Sequence, residues 1–144
     1  MARAYKGPDP LLPPFGTEMT RHDITDPDPI TPKLRVRVVF GEHTMLGPGK
    51  ADLLEHIEQT GSISAAGRAM NMSYKRAWLL VDTMNAAFQE ALVESSRGGP
   101  QGGGASLTAT GKRVLARYRA LEARLADAGK EDLRTLRDLL KAPE

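Results

Sequence analysis

The chain has 144 residues, room for one ordinary domain plus tails but not for two full domains, and its lack of cysteine excludes disulfides, thiolate metal sites and a cysteine nucleophile while fitting a reducing compartment. The longest apolar runs are about five residues (Ala77 to Val81), too short to span a membrane, and the opening MARAYKGPDP has no apolar signal core, so a cytoplasmic setting is expected. The net charge is only +2, but residues 62–119 hold eight basic and three acidic side chains, an excess that suits a local anionic partner and equally an uneven solvated face.

Residues 1–33 contain seven of the ten prolines: Pro8, Pro10, Pro13, Pro14, Pro27, Pro29 and Pro32. Proline fixes φ and removes a donor, so neither a helix nor a central strand runs through this stretch. It reads as an extended or disordered arm, with Leu11, Leu12 and Phe15 available to pack on the domain or on a second subunit. Leu34 to Phe40 alternates apolar and basic residues before turning fully apolar, which predicts a strand with Leu34, Val36 and Val38 inward and Arg35 and Arg37 facing water or a partner. Gly41 and Gly47-Pro48-Gly49 are punctuation.

A helix follows over Lys50 to Thr60, with Ala51, Leu53, Leu54 and Ile57 on one face, Asp52, Glu55 and Glu58 on the other, and Gly61 as its stop. A short helix covers about Ser64 to Met70, capped by Ser62 or Ser64. Asn71 can adopt the left-handed conformation of a tight turn. Ser73 then caps a third helix, Tyr74 to Phe88, whose apolar set is Ala77, Leu80, Val81, Met84 and Phe88. Ala91 to Ser95 is strand-like, and Ala105 to Leu107 can return as its partner. Between them, Gly98 to Gly104 holds five glycines in seven residues, which suits a flexible hairpin tip. Thr108 caps a long helix to about Ala128 with the stripe Val114, Leu115, Tyr118, Leu121 and Leu125. Gly129 breaks it, and Asp132 to Lys141 forms a further short helix with Leu133, Leu136, Leu139 and Leu140. The division expected is an arm over 1–33, a domain over 34–128 including the long helix, and a short C-terminal helix or tail over 129–144.

The fold class this order predicts is mainly α with a small β-hairpin, a winged helix-turn-helix with a long C-terminal helix. In that arrangement the third helix enters the DNA major groove and the hairpin tip reaches the backbone or minor groove. The third helix carries a local contradiction. Lys75 and Arg76 occupy its first turn, at the positive end of the macrodipole, where an exposed cation costs about 0.3–1 kcal/mol. Residues that break a local rule without a packing benefit are functional candidates, and cations there suit phosphate or guanine contact. The competing reading is two ordinary surface cations; Arg97 beside the glycine tip favours the first. Ser73, Tyr74, Lys75 and Arg76 are expected to make groove and phosphate contacts, Arg68 and Arg97 to contact the backbone, and Gly98 and Gly99 of the wing to belong to the DNA-binding surface. Lys112 and Arg113, in the first turn of the long helix, are expected to add phosphate contacts.

The strings Thr60-Gly61-Ser62-Ile63-Ser64-Ala65-Ala66, Met72-Ser73-Tyr74-Lys75-Arg76-Ala77-Trp78, Met84-Asn85, Arg97-Gly98-Gly99 with Gly102-Gly103-Gly104, and Leu107-Thr108 with Gly111 together resemble the N-terminal DNA-binding domain of the molybdate-responsive regulators, the ModE family. That domain is related to the helix-turn-helix of LysR-type regulators. The resemblance covers about residues 34–128. It implies a winged-helix transcriptional regulator that binds double-stranded DNA as a homodimer, dimerised through the long helix and elements near the N-terminus. Val114, Tyr118, Leu121 and Leu125 are the residues expected at that seam, an intramolecular core being the competing use of the same stripe. Members of the family carry C-terminal oxyanion-binding domains; no such effector site is expected within these residues.

Other chemistry finds little support. His22, His43 and His56 are far apart, without an i, i+4 pair or an HExxH motif, so no metal is expected. The glycine tip lies between two strands and matches neither G-x-x-x-x-G-K-[ST] nor G-x-G-x-x-G before a helix, which argues against nucleotide binding. Trp78 suits a partly buried packing role, a place near the recognition surface being the competing reading, and Met70, Met72 and Met84 suit the core. No enzyme and no cofactor are expected. Two rivals remain: a winged-helix module that binds proteins, and a small oxyanion-binding protein.

Overall fold

A computed structural model describes residues 31–96 and 104–141. Residues 1–30, with most of the expected arm, and residues 97–103, with most of the glycine tip, lie outside the described residues. The first regular structure is a hairpin. Strand β1 (Val38–Phe40) pairs antiparallel with β2 (Thr44–Leu46), Val38 opposite Leu46 and Phe40 opposite Thr44, across a turn in which Gly41 takes φ +69°. The strand expected from Leu34 is therefore shortened to three residues, and β2 was not anticipated. The register is the reason: the residue that would face Val36 is Pro48, which has no N–H and already begins the following helix, and the Val36 carbonyl accepts a 2.6 Å hydrogen bond from the Tyr118 hydroxyl. Val36 and Val38 are half-buried as expected, whereas Leu34 is exposed.

Helix α1 (Pro48–Thr60) begins two residues earlier than expected because Pro48, with its preset φ, occupies the first turn. Ala51, Leu53, Leu54 and Ile57 are its buried face, and Gly61 ends it at φ +74°, its N–H donating to the Ile57 carbonyl at 2.8 Å. Helix α2 (Ile63–Ala69) is capped by Ser62, whose hydroxyl accepts from the Ala65 N–H at 3.0 Å. The turn to α3 (Tyr74–Ala87) uses Asn71 at φ +59°. Ser73 caps α3 by accepting from the Arg76 N–H at 3.1 Å. Gly67 is buried against α3: a Cβ there would lie 3.1 Å from that of Ala77, itself fully buried, so two small residues set the close approach of these helices.

Strands β3 (Val93–Ser96) and β4 (Gly104–Leu107) form the second antiparallel hairpin, Val93 opposite Leu107 and Ser96 opposite Gly104. Helix α4 (Ala109–Ala128) follows, then α5 (Lys130–Asp138), which starts two residues before the expected position and ends before Lys141. The fold is thus mainly α with small hairpins and a long helix after the second of them, in the order helix, tight turn, helix, hairpin, helix.

Two compact units result. Residues 35–118 hold the core, in which Leu53, Leu54, Ile57, Met84 and Leu92 are the largest fully buried side chains. Residues 119–141, with 31–34, form the other. No residue of α5 is buried, and Leu136, Leu139 and Leu140 are exposed.

Candidate nucleic-acid interface

The start of α3 is open to solvent. Ser73 is committed to capping, so the three residues after it are held in the first helical turn with their side chains outward. Tyr74 is 57% exposed, Lys75 and Arg76 are exposed, and no acidic residue shares that turn. Arg68, near the end of α2, is also exposed, and its guanidinium donates to the Ser64 hydroxyl at 2.8 Å.

Between α3 and the second hairpin lies a groove of about 470 Å³. Ser62 and Ser64 line it from the start of α2, Tyr74 and Trp78 from α3, and Ser95 and Ser96 from β3. Serine hydroxyl groups and the aromatic side chains of Tyr74 and Trp78 therefore share one trough. Trp78 is 43% exposed, more open than the packing role expected of it.

The groove keeps its shape because three contacts fix the hairpin. Asn85, on α3, imitates a strand partner: its Oδ1 accepts from the Leu92 and Val93 N–H groups at 2.8 and 3.1 Å, and its Nδ2 donates to the Val93 carbonyl at 3.1 Å. On the other strand, the Ala105 N–H donates to the Gly61 carbonyl at 2.9 Å. At the exit, Thr108 caps α4 by accepting from the Gly111 N–H at 2.9 Å while its hydroxyl donates to the Ala91 carbonyl at 2.6 Å. Gly111 lies so close beneath the Leu92 carbonyl that a Cβ would come within 2.1 Å of its oxygen. Periodicity gave no sign of Asn85 as a positioning residue, because its partners lie seven and eight residues ahead in another element.

Among the expected site residues, Ser73, Tyr74, Lys75 and Arg76 are consecutive and exposed at the start of α3, and of the four Tyr74 lines the groove. Lys112, at the end of the first turn of α4, and Arg113, at the start of the second, are exposed. Arg97, Gly98 and Gly99 lie outside the described residues. Of the residues expected at a dimer seam, Tyr118 is 2% exposed and sits in the core of its own chain, with Val114 packed against that core. Leu121 is half-buried and Leu125 is exposed. Among the described residues there is no group of three or more histidine, aspartate or glutamate side chains that could hold a metal ion, and no helix long and apolar enough to cross a membrane.

No family model matches the chain. Curated relatives do. A protein of Azotobacter vinelandii named molybdenum transport protein ModE is 49% identical over 79 residues, 55% of this chain and 29% of its own length. The transcriptional regulator ModE of Yersinia pestis is 40% identical over 98 residues, 66% of this chain and 37% of its own. The DNA-binding transcriptional dual regulator ModE of Escherichia coli K12 is 42% identical over 71 residues, 49% of this chain and 27% of its own. The matched stretch spans about a third of the length of these relatives. Over roughly half of its residues this chain is therefore homologous to proteins named ModE, as the motifs around Ser73 to Trp78 implied.

Proposed function

We propose that this chain binds double-stranded DNA as a homodimer and regulates transcription. In this reading α3 enters the major groove, and the β3–β4 hairpin with its glycine tip follows the adjoining backbone. The observation that carries it is the pair Lys75 and Arg76, exposed in the first turn of α3 with no acidic neighbour there, where helix electrostatics alone would favour the opposite charge. Lys75 and Arg76 contact phosphate or guanine, Tyr74 and the capping Ser73 add polar contacts, and Arg68, Arg97, Lys112 and Arg113 meet backbone phosphates, with Gly98 and Gly99 allowing close approach. The names of the Yersinia and Escherichia relatives support gene regulation as the outcome. The exposed Leu125 and the half-buried Leu121 of α4 supply the seam with a second copy, whereas Val114 and Tyr118, earlier on the same helix, serve the core of their own chain. A two-fold dimer sets its recognition helices about 34 Å apart and selects a palindromic site.

Selection of bound duplexes from a random DNA pool tests this reading. A palindrome with half-sites about one helical turn apart is expected. Enrichment of no sequence, together with binding that does not weaken as salt rises, would reject the DNA reading in favour of a protein-binding module.

A further inference from the structure

We infer that Leu79 reads a thymine C5-methyl group in the major groove, a step that rests on the DNA-binding reading above. Helix α3 buries Ala77, Val81 and Met84. At about 3.6 residues per turn, Lys75, Leu79 and Asp82 fall on the face opposite that buried set. All three are exposed, Leu79 at 49%. A single exposed leucine is ordinary on a protein surface; the position of this one is not. It follows Lys75 by one turn on the outermost face of the proposed recognition helix, about 6 Å further along the axis.

The charge order along that face says what Leu79 meets. Cations occupy only the first turn, at Lys75 and Arg76, and Asp82 lies three residues beyond Leu79. A carboxylate repels phosphate, so backbone contact ends with the first turn and the next turn faces base edges. The major-groove edges of the four bases are donors and acceptors apart from one apolar feature, the methyl group of thymine. Leu79 can bond to none of the former and fits the latter. Trp78, the adjacent apolar side chain, lines the groove toward the hairpin and leaves the outermost face to Leu79. Asp82 on the same face is suited to accept from a cytosine amino group and not to compete for the methyl.

The test uses the full chain and the duplex recovered from the random pool, with each thymine replaced in turn by deoxyuridine, which removes the methyl group and nothing else. Wild-type affinity should fall about three- to tenfold at one thymine per half-site, the range for losing one or two buried methyl-sized contacts. Leu79→Ala should bind the unmodified duplex weaker by a similar factor and should no longer distinguish thymine from deoxyuridine at that position. Leu79 is exposed, so the variant should keep its circular dichroism spectrum and Tm. Duplex binding that is insensitive to deoxyuridine at every thymine overturns this assignment alone, as does a Leu79→Ala variant that still senses the same methyl. Absence of any salt-dependent duplex binding overturns the DNA-binding reading and this one with it.

Discussion

Lys75 and Arg76 are placed where they weaken the helix that carries them, and this makes their role measurable. If they serve only the fold, replacing them with alanine should do little. If they serve DNA, stability and affinity should move apart. The double variant Lys75→Ala/Arg76→Ala is expected to keep or slightly raise Tm, since two unfavourable charges leave the positive end of α3. Its affinity for duplex DNA should fall about 10- to 100-fold at moderate salt, and the slope of log K against log salt should become shallower by about 1–2. Thermal denaturation and fluorescence anisotropy over a salt series separate the two effects. Asn85 makes the opposite case. Leu92 and Val93 are buried, and their N–H groups have the Asn85 carbonyl as acceptor. Asn85→Ala leaves both donors without that acceptor and should cost about 2–3 kcal/mol in a denaturant titration. Asn85→Asp keeps the acceptor but turns a second acceptor oxygen against the Val93 carbonyl where the amide donated, and should therefore not restore full stability.

At the level of elements, the punctuation was legible because it acts over three or four residues. Gly61, Ser62, Asn71 and Ser73 each do what their residue type favours locally, and the structure has all four as a stop, a cap, a left-handed turn and a cap. Of the first hairpin, β1 was legible within the alternation that starts at Leu34, but β2 was not, because a three-residue strand carries too few residues to show an alternation and its register depends on a partner. The same limit hid the reason for Gly111. In the sequence it is a glycine in the first turn of a helix, a weak choice by propensity. In the structure it is the only residue type that fits beneath the Leu92 carbonyl. Gly111→Ala should therefore destabilise, against its helix propensity, by about 1–3 kcal/mol or more, because the clash is with backbone and not with a movable side chain. Denaturant midpoints of this variant and of an alanine at the exposed Gly49, where a Cβ meets nothing within 4 Å, give the contrast.

For the molecule as a whole, the cationic patch was legible in the sequence because helix order and capping fix which residues start α3. The apolar stripe of α4 was not, because one helix face can serve a core and a seam at once, and periodicity cannot divide them. The structure separates its members by burial. Tyr118 is spent on its own chain, with 2% exposure and a hydroxyl bonded to the Val36 carbonyl, whereas Leu125 remains exposed. Substitutions at the two should then have different signatures. Tyr118→Phe removes the hydroxyl that bonds the Val36 carbonyl and should cost about 0.5–1.5 kcal/mol of stability while leaving the sedimentation coefficient unchanged. Leu125→Asp should leave the fold intact, because its surroundings are already solvated, yet shift sedimentation toward the monomer and weaken binding to a palindromic duplex far more than to a single half-site. If instead Leu125→Asp sediments as wild type and Tyr118→Phe does not, the second copy docks against the core end of α4, and the seam lies near residue 118 and not at the exposed leucine.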